Sequence, residues 1–212
     1  MTIWTRGQGE PRIEHVFDSS RFIHLDVRSF FSLKDGAFSP GDLARRAAEL
    51  GMRAIALTDR DGLYGAARFV AACEQHGVRP ILGATLTTRG VMGGGRASPE
   101  RRRLSRSEGE GPTDHHVILL AQDERGYANL CRLITDAHMT GERGDPSLTP
   151  EQVCAHSTGL VCLLGPSSAP AALAVRGRLG TASRAALPFK DAFGERLFVA
   201  VQHRLEQDST AE

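Results

Sequence analysis

No apolar run in this sequence approaches the roughly 20 residues that a membrane-spanning helix needs, so a transmembrane protein is not expected. A secretory leader is missing too, because the stretch from Met1 to Ser20 carries Arg6, Glu10, Arg12, Glu14 and Asp18 and has no apolar core. Cysteine is sparse. Cys73, Cys131, Cys154 and Cys162 stand far apart in apolar surroundings and form no Cys-x-x-Cys pair, which argues against zinc ribbons and redox motifs and predicts buried, reduced thiols. Charge of one sign is also lacking. Twenty-six Lys and Arg face 25 Asp and Glu, a formal net charge of +1, so nothing global draws the chain to nucleic acid, membrane or acidic substrates. Any charge argument has to be local. These absences predict a cytoplasmic protein, and 212 residues with 41% apolar content suffice for one domain whose core needs no disulfide or structural metal.

What is present centres on Arg53 to Gly65. The small, apolar run Ala54 to Leu57 is too short for a helix and reads as a strand covered on both faces, as in a parallel sheet. Thr58, Asp59, Arg60 and Asp61 follow directly, Gly62 breaks the extension, and a helical pattern opens at Leu63 with Ala67, Val70 and Ala71 on one face. Ligands of parallel α/β folds bind where strand carboxyl ends converge, so these charges are functional candidates. Capping of the next helix is the competing role for Asp61 and, less so, for Asp59.

Residues 1–20 read as a loose terminus. Phe22, Ile23, Leu25 and Val27 suggest a first strand, with Asp26, Arg28 and Ser29 at its carboxyl end. Asp35-Gly36 marks a turn, and Ser39-Pro40 opens a helix ending at Gly51, with Leu43, Ala47 and Leu50 inward and Arg45, Arg46 and Glu49 outward. After the central strand and helix, Gly77 ends the helix and Ile81 to Leu86 forms a third strand; the alternation favours parallel pairing. Residues 87–113, with Gly93-Gly94-Gly95, Arg101-Arg102-Arg103 and Arg106, predict a disordered insertion, a solvated linker whose arginines are nonetheless candidate phosphate contacts. His115 and His116 stand at the entrance of a fourth strand, Val117 to Ala121. A helix from Glu124 to His138 follows, with Tyr127, Leu130, Cys131, Leu133 and Ile134 assigned to the core. Thr149-Pro150 caps a short helix to His156, Gly159 to Leu164 is a fifth strand, Ala169 to Phe193 gives one or two helices divided near Gly180, and Leu197 to Val201 is a sixth strand, before a polar tail at 204–212.

The run Phe22-Ile-His-Leu-Asp-Val-Arg-Ser29, with Lys34-Asp-Gly-Ala37, Leu50 to Asp59 and Pro80-Ile-Leu-Gly-Ala84, resembles the polymerase and histidinol phosphatase (PHP) domain. More narrowly, it is similar to the PHP domain that opens the α subunit of bacterial DNA polymerase III and its error-prone relatives. Gly126-Tyr-Ala-Asn-Leu-Cys-Arg-Leu133 and Gly159-Leu-Val continue the match, and Asp61-Gly-Leu-Tyr64 leans toward the error-prone type. Spanning about residues 21–203, the resemblance implies a distorted β/α barrel with parallel strands. It also implies that the closing barrel segment and the catalytic palm lie beyond this chain, which then could not polymerise DNA and would be a truncated paralogue, a fragment or a domain completed by another chain, with an exposed edge at its last strand.

Metal-binding members of that family end their first strand in His-x-His, their second in Asp-His and their third in an acid, so that imidazoles and carboxylates hold two or three cations. The corresponding positions here are Asp26 and Arg28, Asp59 and Arg60, and Thr85, while only Asp35 and His116 are of ligand type where ligands are expected. A guanidinium has no lone pair for a metal and stays charged. The expectation is therefore a cluster in which Arg28 and Arg60 pair with Asp26, Asp35 and Asp59, with no metal and no other cofactor, and in which Arg28→Met or Arg60→Met destabilises the fold. The alternatives are a Zn2+- or Mn2+-dependent phosphoesterase or 3′ to 5′ exonuclease using Asp26, Asp35, Asp59 and His116, and an anion or DNA site at Arg28 and Arg60 or at Arg101, Arg102 and Arg103. His24 is assigned a structural hydrogen bond and His115 a loop. The expected role is structural or partner-binding, beside a polymerase or another replication or repair protein.

Overall fold

The computed structural model describes residues 22–90, 114–141 and 144–201. The expectations for 1–20, for most of the insertion including Arg101, Arg102, Arg103 and Arg106, and for the 204–212 tail lie outside them.

Strand β1, Ala54–Leu57, is buried at every position, as its unbroken small and apolar run requires. It pairs in parallel with β2, Arg79–Thr88, through helix α2, Ala66–His76, which Gly77 ends in the left-handed conformation at φ 66. Before β1 lies α1, Pro40–Glu49, whose first turn combines Pro40 with a hydrogen bond from the Asp42 amide to Ser39 Oγ at 3.0 Å. The inward faces of both helices differ from the periodicity reading. α1 buries Pro40, Ala44 and Ala47 and leaves Leu50 exposed, and α2 begins three residues later than predicted and buries Ala66, Phe69 and Cys73 while Ala67 and Ala71 face water. The helices lean on each other as well as on the sheet, so a stripe chosen for the sheet alone points between the two partners.

No strand forms at Phe22 to Val27. The segment runs beside β1, with the Ala56 amide bonded to the His24 carbonyl at 2.9 Å and the Thr58 amide to the Val27 carbonyl at 2.8 Å. Two steps along β1 thus answer three along its neighbour, and the bend at Leu25 and Asp26 absorbs the surplus as a bulge would.

Strand β3, His115–Ala121, pairs antiparallel with β2, and β4, Leu160–Leu164, antiparallel with β3; β5, Leu197–Val199, is parallel to β4. The five strands lie in the order β1-β2-β3-β4-β5. The expectation of parallel pairing throughout is thereby corrected at its centre. His115 returns opposite Thr88, where β2 ended, and just past the end of β3 the Gln122 amide donates to the Gly159 carbonyl, so both connections close on the sheet end they left. Thr87 and Thr88 belong to β2 and Arg89 is buried, which moves the start of the insertion downstream. His115 is likewise a strand residue and not a loop residue.

Helix α3, Glu124–Thr140, buries Leu130, Leu133 and Ala137 on β2 to β4, and leaves Tyr127 at the surface rather than in the core. Helix α4, Pro150–Ala155, opens with a capping box between Thr149 and Gln152. Helices α5, Ala169–Val175, and α6, Leu179–Phe193, divide at Gly177 and Arg178, a little before the predicted break, with Gly177 at φ 72. Three apolar clusters result: one between the sheet and α3, α4 and α6; one between β1, α1 and α2; and a smaller one on the opposite face, made of Ala56, Ile118, Leu120 and Leu163. All four cysteines are free thiols; Cys73 and Cys162 are buried and Cys131 and Cys154 half-buried. Among the described residues no helix is long and apolar enough to cross a membrane.

Candidate functional site

The polar residues that follow β1 meet the loop that precedes α1. Asp59, 1% exposed, accepts hydrogen bonds from the Ser29 amide at 2.7 Å, Ser29 Oγ at 2.8 Å and Ser32 Oγ at 2.7 Å. Ser29 and Ser32 are themselves buried, and Ser32 Oγ also accepts from the Arg60 amide at 2.9 Å. A carboxylate with three close donors needs no counter-ion beside it. Asp59 therefore does not cap α2, and it does not join the arginines, which corrects its place in the expected ion cluster. Ser32 was missed because its partner lies 27 residues away; the spacing Ser29-Phe-Phe-Ser32 was the available signal.

The arginines pair more loosely. Arg60 Nη2 lies 2.6 Å from Asp35 Oδ2, with the two side chains 39% and 30% exposed. Arg28 Nη2 lies 3.5 Å from Asp26 Oδ1, with exposures of 26% and 21%, and Thr58 Oγ1 donates to the same Asp26 oxygen at 3.3 Å. Ion pairs this accessible contribute about 0–1 kcal/mol. The destabilisation expected of Arg28→Met or Arg60→Met shrinks accordingly, since the deeply buried carboxylate, Asp59, does not depend on them. Both guanidinium Nε atoms are nonetheless buried and without a hydrogen-bond partner.

Thr85 is fully buried and donates to the Thr58 carbonyl at 3.0 Å, while its backbone bridges Arg60 in parallel and so prolongs the β1–β2 ladder to the site. Asp61 takes φ 49 and accepts from the Thr87 amide and Thr87 Oγ1, both at 2.7 Å, so it too is no helix cap. Burial raises its carboxyl above the ordinary range, against the pull of those two bonds. His138 Nε2 contacts the Asp61 carbonyl at 2.8 Å. His24 is exposed and stands edge-on to Phe22, with ring centroids 4.7 Å apart.

His116, half-buried on β3, completes the group. Its Nδ1 is buried without a partner. Burial, then the nearby Arg60 charge, lowers its pKa from the ordinary 6.5; burial lowers that of His115 as well. The unfolded chain binds protons on these rings as the pH falls through 6.5 while the folded chain resists. Stability is thus expected to hold above pH 6.5 and to decline below it, and urea titrations at pH 7 and pH 5 should show a smaller difference for His116→Gln than for the parent chain.

One ion cluster was not anticipated. Arg89, 6% exposed at the end of β2, donates through Nε and Nη2 to Asp114 at 2.6 and 3.1 Å, and through Nη1 to Asp145 at 2.8 Å, with a further Nη2–Asp145 contact. The paired carboxylates hold its guanidinium far above its already high ordinary pKa. Among the described residues, no group of three or more His, Cys, Asp or Glu side chains is placed to hold a metal ion.

Comparison with known proteins identifies the framework around these residues. A family profile described as the PHP domain matches residues 24–204. The chain belongs to the PHP domain family. The expected distorted β/α barrel type accords with its mixed sheet and flanking helices, although the PHP strands here are not all parallel. Relatives include the DNA polymerase III subunit alpha of Caulobacter vibrioides, 36% identical over 194 residues, covering 90% of this chain and 16% of that protein. The DNA polymerase III subunit alpha of Treponema pallidum is 36% identical, with 88% and 16% covered. The error-prone DNA polymerase of Anaeromyxobacter sp. is also 36% identical, over 195 residues, with 87% and 14% covered. The chain thus spans about one sixth of the length of these relatives, and equal identities do not separate the replicative from the error-prone branch.

Proposed function

We propose that this chain is a degenerate PHP domain that works without a cation cluster, serving as a structural or partner-binding unit in the replication or repair setting its relatives' names indicate. The observation that carries the reading is the engagement of Asp59 by Ser29 and Ser32: the buried carboxylate that follows β1 has both oxygens turned to hydroxyl and amide donors. Arg28 and Arg60 add two permanent cations without a lone pair, and their idle Nε atoms are donors, the opposite of what a metal accepts. The residues present do not fit a two- or three-ion centre, so no hydrolytic step is derived through one. The leaning toward the error-prone branch rests mainly on Asp61-Gly62-Leu63-Tyr64. A cytoplasmic setting, with a polymerase or another replication or repair protein as partner, agrees with this reading.

The rival is a phosphoesterase or 3′ to 5′ exonuclease using Zn2+ or Mn2+, and the unpartnered His116 Nδ1, a possible lone pair, is the feature that favours it. Elemental analysis after purification, with calorimetric titration of Mn2+ and Zn2+, separates the two. The expected outcome is no stoichiometric ion and no hydrolysis of a phosphomonoester above buffer. Two or three equivalents bound with accompanying turnover would overturn the proposal.

A further inference from the structure

Helix α5 is apolar at each of its 7 positions, yet none of them is fully buried. The space beneath it is unfilled. A cavity of about 180 Å3 lies where the end of β2 and the start of β3 meet α5 and α6, walled by Val117, Pro150, Ala172, Leu173, Ala185 and Phe189. Protein interiors hold few voids of this size, and an apolar cavity of about 150 Å3 is room enough for a benzene ring. His115 lines this cavity, whereas its neighbour His116 belongs to the crevice beside Arg60, as alternation along β3 requires. Cavity and crevice thus lie on opposite faces of the sheet.

The charge at the cavity has one sign. Arg176 lines it, is exposed, and forms no ion pair among the described residues. No acid stands among the described lining residues, and 152–190 holds Arg176, Arg178, Arg184 and Lys190 without an Asp or Glu. The nearby Asp114 is engaged by Arg89. The other polar groups are occupied as well: Thr88 Oγ1 donates to the His115 carbonyl at 3.3 Å, and the His115 ring bonds to the Ser167 backbone. Arg176 is therefore the group left to a ligand.

We propose that this cavity binds a small carboxylic acid, its apolar body, a phenyl ring or a short branched chain, inside and its carboxylate on Arg176 at the mouth. A single guanidinium fork matches the two oxygens of one carboxylate. A phosphate ester would bring more charge than one exposed arginine offsets, an amine would meet a like charge, and a neutral apolar molecule would leave Arg176 unused. Apolar walls with one placed polar group are the ordinary make-up of a small-molecule site. None of these residues belongs to the crevice, so the assignment stands or falls independently of whether cations bind beside Asp59.

Carbon-edited NMR on the full chain in EDTA tests it, following the methyl groups of Val117, Ala172, Leu173 and Ala185 during titration with phenylacetate, its uncharged amide phenylacetamide, and hexylamine. Those methyls should shift saturably at millimolar phenylacetate and show nuclear Overhauser contacts with its ring, while phenylacetamide binds severalfold more weakly and hexylamine leaves them unmoved. Arg176→Gln, a change at the surface, should abolish the advantage of the acid over the amide without altering the amide's own binding. Ala185→Leu, which fills the space, should remove the binding of both; should it disturb the fold, the Arg176→Gln comparison decides alone. Equal binding of acid and amide, phenylacetate binding unchanged in Arg176→Gln, or shifts that miss these methyls would overturn the assignment.

Discussion

Asp59→Ala is expected to lower the unfolding free energy by about 3–5 kcal/mol, because it strips the acceptor from three buried donors at once. A buried donor left without a partner costs about 1–3 kcal/mol, and those here are the Ser29 amide, Ser29 Oγ and Ser32 Oγ. The two hydroxyls can turn, which keeps the sum below the arithmetic maximum; the amide cannot. Asp59→Asn should fall between the parent and the alanine variant, since its amide retains one acceptor oxygen and Ser29 Oγ can rotate to accept from the new NH2 group. Urea denaturation at pH 7 reads both. The experiment also discriminates between functions. Were Asp59 a metal ligand among crowded carboxylates, its removal would relieve repulsion in the metal-free protein and raise the midpoint, so a stabilised Asp59→Ala would count against the serine-held arrangement and against the cation-free reading.

Arg89→Met should cost about 2–4 kcal/mol. Removing one partner from a buried ion pair is worth about 3–5 kcal/mol, and the figure is reduced here because the side chains of Asp114 and Asp145 are 41% and 33% exposed. The loss has two parts: two carboxylates brought together with no cation between them, and the end of β2 no longer tied to the start of β3 and to the segment before α4. Asp114→Asn leaves the Asp145 half of the bridge in place and should cost less than half as much. Equal midpoints for Arg89→Met and the parent in chemical denaturation would show the cluster to be energetically idle. A midpoint for Arg89→Met that rises with added salt would support the repulsive part, since salt screens the leftover like charges.

Some of this was legible in advance, and the pattern of what was not is physical. β1, β3 and β4 declare themselves as short apolar runs, and the Ser39-Pro40 and Thr149-Pro150 starts of α1 and α4 are local chemistry, complete within four residues. Local signals found local structure. The segment from Phe22 to Val27 has a strand's composition, yet it lacks a matching count of residues against β1, a property of the pair that neither segment carries alone. The same holds at the site. Charge at the end of β1 located Asp59 and Arg60, the resemblance to the PHP domain added Asp35, and Arg60 and Asp35 do pair, but the partners of Asp59 are hydroxyls brought from 27 and 30 residues away. Arg89 was hidden by its neighbourhood, since it opens a stretch whose composition reads as linker while its own partners stand at Asp114 and Asp145. Antiparallel pairing at the centre of the sheet was invisible for a related reason: alternating strands and helices are compatible with either direction, and the long connection between β2 and β3 carries no periodicity to decide it.

Gly126, in the first turn of α3, lies so close to Gly159, at the threshold of β4, that a methyl group there would sit 1.8 Å from the Gly159 carbonyl oxygen. Both partners are main chain, so neither has a rotamer with which to step aside. Homologous pieces grafted into this region from another PHP domain would have to bring both glycines together. A chimera joined between them and carrying a side chain at either position would have its helix and strand pried apart, however well the two parent halves fold in their own contexts.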